Sequence, residues 1–326
     1  MSIRNMLHNW LAVLKLPFVL LGLADDFWRR FDGYLKHEQG MQSTFFVIPF
    51  KGDPGQMGSR QAPKGRATAY GARDIETQLR ELVSAGCEVG LHGLDAWHDP
   101  IKGRLELDEI RRATGIRELG VRMHWLFFDS ETPKNLELAG AEYDSTVGYN
   151  ETVGFRSGTT QVYKPLGATR LLELPLHIMD TALFLAGYLN LKPCDADRRI
   201  NDILNHVEEC GGVVSINWHD RSIAPERHWE QTYIRILDNI RNRSAWIANA
   251  RDVVRWFRVR RSVRFETIDG VEVPRLEDNA PPGERLPGLL LRVHSGTGIG
   301  WTDVPLVTCS RGTSAPNAAE NHACVN

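Results

Sequence analysis

Strand-like and helix-like segments alternate at least five times between residues 43 and 258, and that alternation restricts the fold more than any other feature. STFFVIPF at 43–50 is dense in apolar and aromatic residues and predicts a buried strand. Helical period follows from Asp74 to Gly86 through Ile75, Leu79, Leu82 and Val83, and then the short apolar strand of EVGLHG at 88–93. A helix over Leu105 to Thr114 precedes a strand, LGVRMHWLFF, over 119–128, and a helix from Thr132 carries Pro133 early and Gly140 at its end. A strand in AEYDS, a short strand LLELPL at 171–176, a helix over Asp197 to Cys210 and a strand VVSINWHD at 213–220 continue the series. Helices over Glu226 to Arg243 and Ala250 to Arg258 close it. Such an order predicts a parallel, right-handed α/β architecture, either a barrel or an open doubly wound sheet.

The flanks have a different texture. Residues 25–40 place Phe27, Phe31, Tyr34 and Leu35 at helical spacing and stop at Gly40, whereas Lys51 to Tyr70 has no period and reads as a long basic loop of the kind that lines binding sites. Beyond Arg261, SVRFETIDGVEV and GLLLRVH alternate with period 2 around turn residues, predicting a small C-terminal β appendage over 261–308 and a poorly ordered tail over 309–326. Residues 1–24 resemble a charged n-region followed by an apolar h-region, but Lys15 and Pro17 interrupt the run, and fifteen apolar residues are too few to span a bilayer. An amphipathic or buried helix is expected there, with no integral membrane segment and with a signal peptide, hence a secreted or periplasmic protein, as the alternative.

With 39 basic and 41 acidic side chains the net charge is -2, so nothing in the balance calls for nucleic acid or an anionic membrane as partner. The five cysteines form no C-x-x-C pair, which points to a reducing, cytoplasmic setting rather than a disulfide framework. No pattern in the chain fixes an oligomeric state.

Four strand ends carry polar groups: His92 with Asp95 and His98, Arg122 with His124, Asp144, and His219 with Asp220. Ligands of α/β proteins bind past the carboxyl ends of strands, so these positions are where chemistry is expected. His92, Asp95 and His98 are spaced so that a loop or a starting helical turn could bring two of them onto one cation; an ordinary turn whose Asp caps the next helix explains the same residues. Hydrolysis of an amide or ester needs a polarised carbonyl, an activated water, a base and an acid, and a metal on His and Asp with a second His nearby supplies all four. Arg122 would hold a carboxylate in its charged form, and Arg156 would bind substrate or order its own loop.

Taken in order, STFFVIP, EVGLHGLDAWHD, GVRMHW, AGAEYDS, LELPLHIMD and VVSINWHD resemble the motifs of the polysaccharide deacetylases, the fourth carbohydrate esterase family, over roughly residues 25–258. The resemblance implies a distorted (β/α) barrel with fewer than eight repeats, a divalent metal such as Zn2+, and removal of acetyl groups from a carbohydrate. It makes His92 the first metal-binding imidazole, Arg122 the arginine that orients the catalytic carboxylate, and His219 the general acid. His124, Trp125, Asp144, Arg156 and Asp220 would line the sugar pocket. Three departures stand out. Ala96 occupies the position of the family's second histidine, leaving Asp95 or His98 as second ligand, with Asp95 preferred. His124 replaces a proline, which reshapes the pocket or adds a titrating group. Asp25 and Asp26, nineteen and eighteen residues before Thr44, are either the family's opening aspartate pair, base and ligand, or part of a segment that follows that pair in a divergent branch. Two other functions fit the same residues: a carbohydrate-binding relative without catalysis, and a metal-dependent amidohydrolase of small substrates.

Overall fold

The structure is a computed structural model that describes residues 10, 13–19, 21, 23, 31–57, 60–224, 227, 229–268, 270–276, 286–294 and 300–306. Asp25 and Asp26 lie outside the described residues, as does the tail over 309–326. Two compact units meet between Arg251 and Asp252.

The first unit runs α1 (Phe31–His37), β1 (Thr44–Val47), β2 (Gln56–Met57), β3 (Arg60–Gln61), α2 (Glu76–Ser84), β4 (Glu88–Gly93), α3 (Pro100–Thr114), β5 (Val121–Met123), α4 (Thr132–Ala139), β6 (Tyr143–Asp144) and β7 (Leu172–Glu173). It continues with β8 (Ile178–Met179), α5 (Asp180–Phe184), α6 (Pro193–Cys210), β9 (Ile216–Asn217) and α7 (Glu230–Asn242). A five-stranded sheet in the order β1-β4-β5-β6-β7 is parallel throughout, and β8 pairs with β9 as a second parallel sheet. Parallel strands need long crossovers, and α2, α3 and α4 supply them for three of the connections. Their inward faces bury Leu79, Leu82, Leu107, Ile110 and Leu136 against Val89, Leu91 and Val121 of the sheet. At about 1.5–3 kcal/mol for each large apolar side chain, this layer is the main source of stability. A second cluster, around Ile178, Ala182, Ile200, Ile203 and Ile236, backs β8 and β9 with α5, α6 and α7.

The sheet expected from the alternation of elements is therefore present as two parallel pieces, with shorter strands than the apolar runs suggested. The run over 119–128 is a strand only as far as Met123, because Trp125 and Leu126 take left-handed backbone angles (φ 62 and 52) that turn the chain away. Helix α3 begins at Pro100, earlier than its apolar period indicates: Asp99 accepts hydrogen bonds from the Ile101 and Lys102 amides, while Ile101 and Leu105 point outward. Residues 13–19 are helical as expected, but Val13, Leu14, Leu16 and Phe18 are exposed rather than buried. Among the described residues no helix is long and apolar enough to cross a membrane.

Helix α8 (Ala250–Arg261) spans the division between units. The second unit then holds two antiparallel ribbons, β10 (Val263–Ile268) with β11 (Val271–Leu276) and β12 (Leu290–His294) with β13 (Trp301–Pro305). β10, β11 and β12 fall on the period-2 runs of the sequence, whereas β13 falls on neither.

One glycine is dictated by strand spacing. At Gly120, just before β5, a Cβ would lie 1.9 Å from the Tyr143 ring, whose hydroxyl donates to the buried Glu88 carboxylate. Gly120→Ala is expected to destabilise the first unit by about 1–3 kcal/mol through overpacking; urea denaturation reads this, and an unchanged midpoint would contradict the packing.

Candidate active site

The carboxyl ends of β4 and β5 bring two imidazoles together edge to face, with ring centroids 4.8 Å apart. His92 sits in β4 in register with Arg122 of β5, and its Nδ1 donates to the Arg122 carbonyl at 2.9 Å. Its Nε2 lies 3.0 Å from Nδ1 of His124, one residue past the end of β5. His124 in turn donates from Nε2 to the Arg66 carbonyl at 2.9 Å. Burial, reinforced by the charges of His124 and His219, holds the His92 imidazole well below its ordinary value. Burial and the Arg66 charge lower His124 to about 4.

Arg66 explains why His124 is so firmly set. This residue of the long basic loop is 1% exposed, and its guanidinium donates to the carbonyls of Pro54, Leu94 and His124 while stacking on Phe127 at 4.5 Å. Arg66 and His124 thus hold each other by two reciprocal bonds. Gly55 (φ +69) makes room for it, since a Cβ there would meet the guanidinium at 2.5 Å.

Arg122 lies fully within the protein, donating to the Ser145 carbonyl and hydroxyl at 2.9 and 2.7 Å and to Asn217 Oδ1 at 3.1 Å. Burial lowers it to about 10, opposed by the nearby Tyr143, Glu173 and Asp144. Its link to Asn217 joins the end of β5 to β9, two residues before His219.

The third component is an ion pair. Asp180, fully buried at the start of α5, accepts from the His219 amide at 2.7 Å and binds His219 Nδ1 at 2.6 Å. Burial alone would lower the His219 imidazole, but the Asp180 charge and hydrogen bond outweigh it and raise it above 6.5. Burial alone would raise Asp180, but the His219 charge and hydrogen bonds from His219 and Ser222 hold it below its ordinary value. His219 is close enough to act electrostatically on both His92 and His124. Tyr34 donates to the His219 carbonyl at 2.6 Å and steadies the turn.

The chain therefore gathers His92, Arg122, His124 and His219 around one rim. Asp95 is engaged elsewhere: its carboxylate accepts from the Gln56 amide at 2.6 Å and from Lys102 at 2.8 Å, while His98 Nε2, 3.5 Å from it, is buried with no hydrogen-bond partner among the described residues. Their loop is fastened by Glu106, which accepts from the Leu94 and Asp95 amides and is raised by burial to about 7. Among the described residues no group of three or more His, Cys, Asp or Glu side chains is arranged to hold a metal ion. The two tethered imidazoles nevertheless suit one chemically: each has its second nitrogen fixed on a carbonyl, the support usual for metal-binding histidines.

The remaining expected residues are spread more widely. Asp144 is fully buried near Arg122 and accepts from the Thr146 hydroxyl, so its carboxylate is closed to solvent. Burial and the Asp144 charge push Glu173 up, and the two interacting carboxyls lie near Arg122. Arg122 thus orients no carboxylate by direct hydrogen bond among the described residues. Arg156 donates to Gly148 and orders its own loop, Asp220 accepts from Tyr70 at 2.7 Å, and Trp125 is 43% exposed beside His124. Sequence reasoning missed three residues. Asp180 stood in view as the last residue of LELPLHIMD, but Arg66 and Asn217 left no local signal.

No known protein-family pattern matches the chain, and no curated protein does. Among solved structures, a protein of Mycobacterium smegmatis assigned to the polysaccharide deacetylases aligns with a TM-score of 0.52 at 20% identity, over 70% of this chain and 76% of that one. A mutant of a CE4 family pseudoenzyme aligns at 0.40 and 11% identity, over 70% and 62%. A family 4 acetyl xylan esterase of Clostridium thermocellum, solved with cobalt, aligns at 0.27 and 12% identity, over 65% and 84%. The first of these likenesses establishes a shared fold.

The Asp180–His219 pair has a defined pH window. Its contribution on the imidazole side is complete below 6.5 and is lost as pH rises through the elevated His219 value. On the carboxylate side it is present above 3.8 and is lost as pH falls through the depressed Asp180 value. In Asp180→Asn, NMR titration of the His219 ring should show its midpoint displaced below 6.5, where burial alone would put it; an unmoved midpoint would rule out the pairing as its cause.

Proposed function

We propose that the protein is a metal-dependent hydrolase that removes acetyl groups from a carbohydrate, built on a distorted (β/α) barrel with fewer than eight repeats. One observation carries the reading: His219, bonded through Nδ1 to buried Asp180, lies within electrostatic reach of the two tethered imidazoles of β4 and β5. An acid and a lone-pair donor set on one rim are the parts that acyl cleavage requires. The barrel reading is supported by the Arg122–Asn217 bond across the interior, and by Tyr34, Phe45, Trp218 and Tyr233, which pack between β1 and the end of β9.

In this proposal His219 protonates the departing amine or alkoxide, and Asp180, which raises the His219 imidazole above its ordinary value, favours the protonated form. When bound, a divalent metal such as Zn2+ supplies Lewis-acid polarisation of the acetyl carbonyl, and His92 would hold it. Asp25 or Asp26 would serve as the base. Trp125 presents an exposed aromatic face from a left-handed backbone position, a strained arrangement more often found at functional sites, and would stack on a sugar ring. The long loop, anchored by Arg66 and by Tyr70 on Asp220, would form one wall of the cleft.

A second reading, a carbohydrate-binding relative without turnover, is favoured by one observation: the carboxylate nearest His92 in sequence, Asp95, is occupied by Lys102 and the Gln56 amide. Acetate release from acetylated oligosaccharides, measured on the full chain with added Zn2+, separates the two. The hydrolase reading expects release that falls by roughly 10²–10⁴-fold in His219→Ala. Oligosaccharide binding with no acetate released would establish the second reading instead.

A further inference from the structure

The tethering of the two imidazoles fixes where their protons are. A backbone carbonyl only accepts, so His92 must carry its proton on Nδ1, facing Arg122, and His124 must carry its proton on Nε2, facing Arg66. Neutral rings in those tautomers leave two bare lone pairs, on Nε2 and Nδ1, 3.0 Å apart. Two acceptors at that distance repel. A metal ion bound by both, or a proton shared by them, turns the arrangement into an attractive one.

We infer that His124, from the end of β5, is the second imidazole of a divalent-metal site formed with His92, in place of any residue of the loop that follows β4. Two nitrogens about 2.0–2.1 Å from one ion, at angles of about 90–110°, stand about 2.9–3.4 Å apart, which includes the observed separation. Both rings already have the carbonyl support that orients a ligand, and the Arg66 clasp on His124 adds rigidity. In the loop after β4, Asp95 is bound to Lys102 and the Gln56 amide and Glu106 fastens the backbone, while His98 Nε2 is buried without a hydrogen-bond partner among the described residues 3.5 Å from Asp95, which makes His98 the rival ligand to exclude. Neighbouring cations do not stand alone. Arg66 has Asp95 and Glu106 nearby, Arg122 has Glu173 and Asp144, and His219 has Asp180. Imidazole donors select zinc, cobalt, nickel or copper over magnesium or calcium. With two protein ligands identified, further positions stay open to water and a substrate oxygen.

This deepens the hydrolase reading and rests on it for the use of the ion, so the test reads binding apart from turnover. The chelator-stripped full chain is titrated calorimetrically with Zn2+, and the visible spectrum of the Co2+-loaded protein is recorded. One ion per chain is expected. His92→Ala and His124→Ala should each weaken binding by more than about 100-fold, and His98→Ala should change it by less than about threefold. His124→Gln, which keeps the volume, stands in if the alanine variant does not fold, as judged by circular dichroism. The inference is overturned if the wild type binds no ion, or if 15N spectra show a proton shared between the rings at saturating Zn2+. It is equally overturned if binding survives loss of His124 and disappears in His98→Ala. Ion binding without acetate release would leave the site standing and end the hydrolase reading; acetate release at full rate in His124→Ala would do the reverse.

Discussion

A single buried guanidinium, that of Arg122, holds the functional rim together. Its three hydrogen bonds reach Ser145 beyond β6 and Asn217 in β9, so it bridges the five-stranded sheet and the separate β8–β9 pair. A cation removed from water is tolerated only with compensation. Here that comes from satisfied donors, from the Phe46 ring 4.6 Å beneath it, and from the carboxyl pair of Asp144 and Glu173, which are register partners on β6 and β7. This crosslink adds to the Tyr34 and Asp180 bonds on His219 and the Tyr70 bond on Asp220, which also hold the end of β9 in place.

Arg66 plays the matching part on the other side. The loop that carries it has almost no regular structure, only the two-residue strands β2 and β3 and a short 3-10 turn at Lys64–Arg66. A loop with so few backbone bonds of its own needs outside anchors, and Arg66 supplies several by capturing carbonyls from three separate places in the chain. The same residue accepts from His124, so the loop wall and the imidazole are positioned by one another. A basic residue that composition alone assigns to a solvated, substrate-facing loop is in fact a structural strut.

Charge is managed pairwise across the rim. Each buried cation has carboxylates of its own, and the buried Asp95, Glu106 and Asp180 carboxylates each have donors. Several buried polar atoms, among them His98 Nε2, Arg66 Nε and one oxygen each of Asp144 and Glu173, have no hydrogen-bond partner among the described residues. The lone-pair contact of His92 and His124 differs from these, because local bonding is complete on the far nitrogens and unfavourable on the near ones.

Periodicity and turn chemistry in the sequence were enough to determine the order of elements, the parallel α/β class, and the strand ends at which His92, Arg122 and His219 stand, because those depend on residues only a few positions apart. They were also enough to place Gly140 at the end of its helix, where it takes the left-handed angle (φ 92) that terminates it. Tertiary structure alone decided which polar groups became partners. Asp95, three residues from His92, turned to Lys102 on the next helix; His219 took Asp180 from 39 residues away; Arg122 found Asn217 across 95; and Arg66 found His124 across 58. Strand lengths were also settled late, since the apolar run through Phe128 is cut at Met123 by the turn at Trp125 and Leu126. A side chain's hydrogen-bond capacity is written in its chemistry, but its partner is chosen by which elements pack together, and no local pattern records that choice.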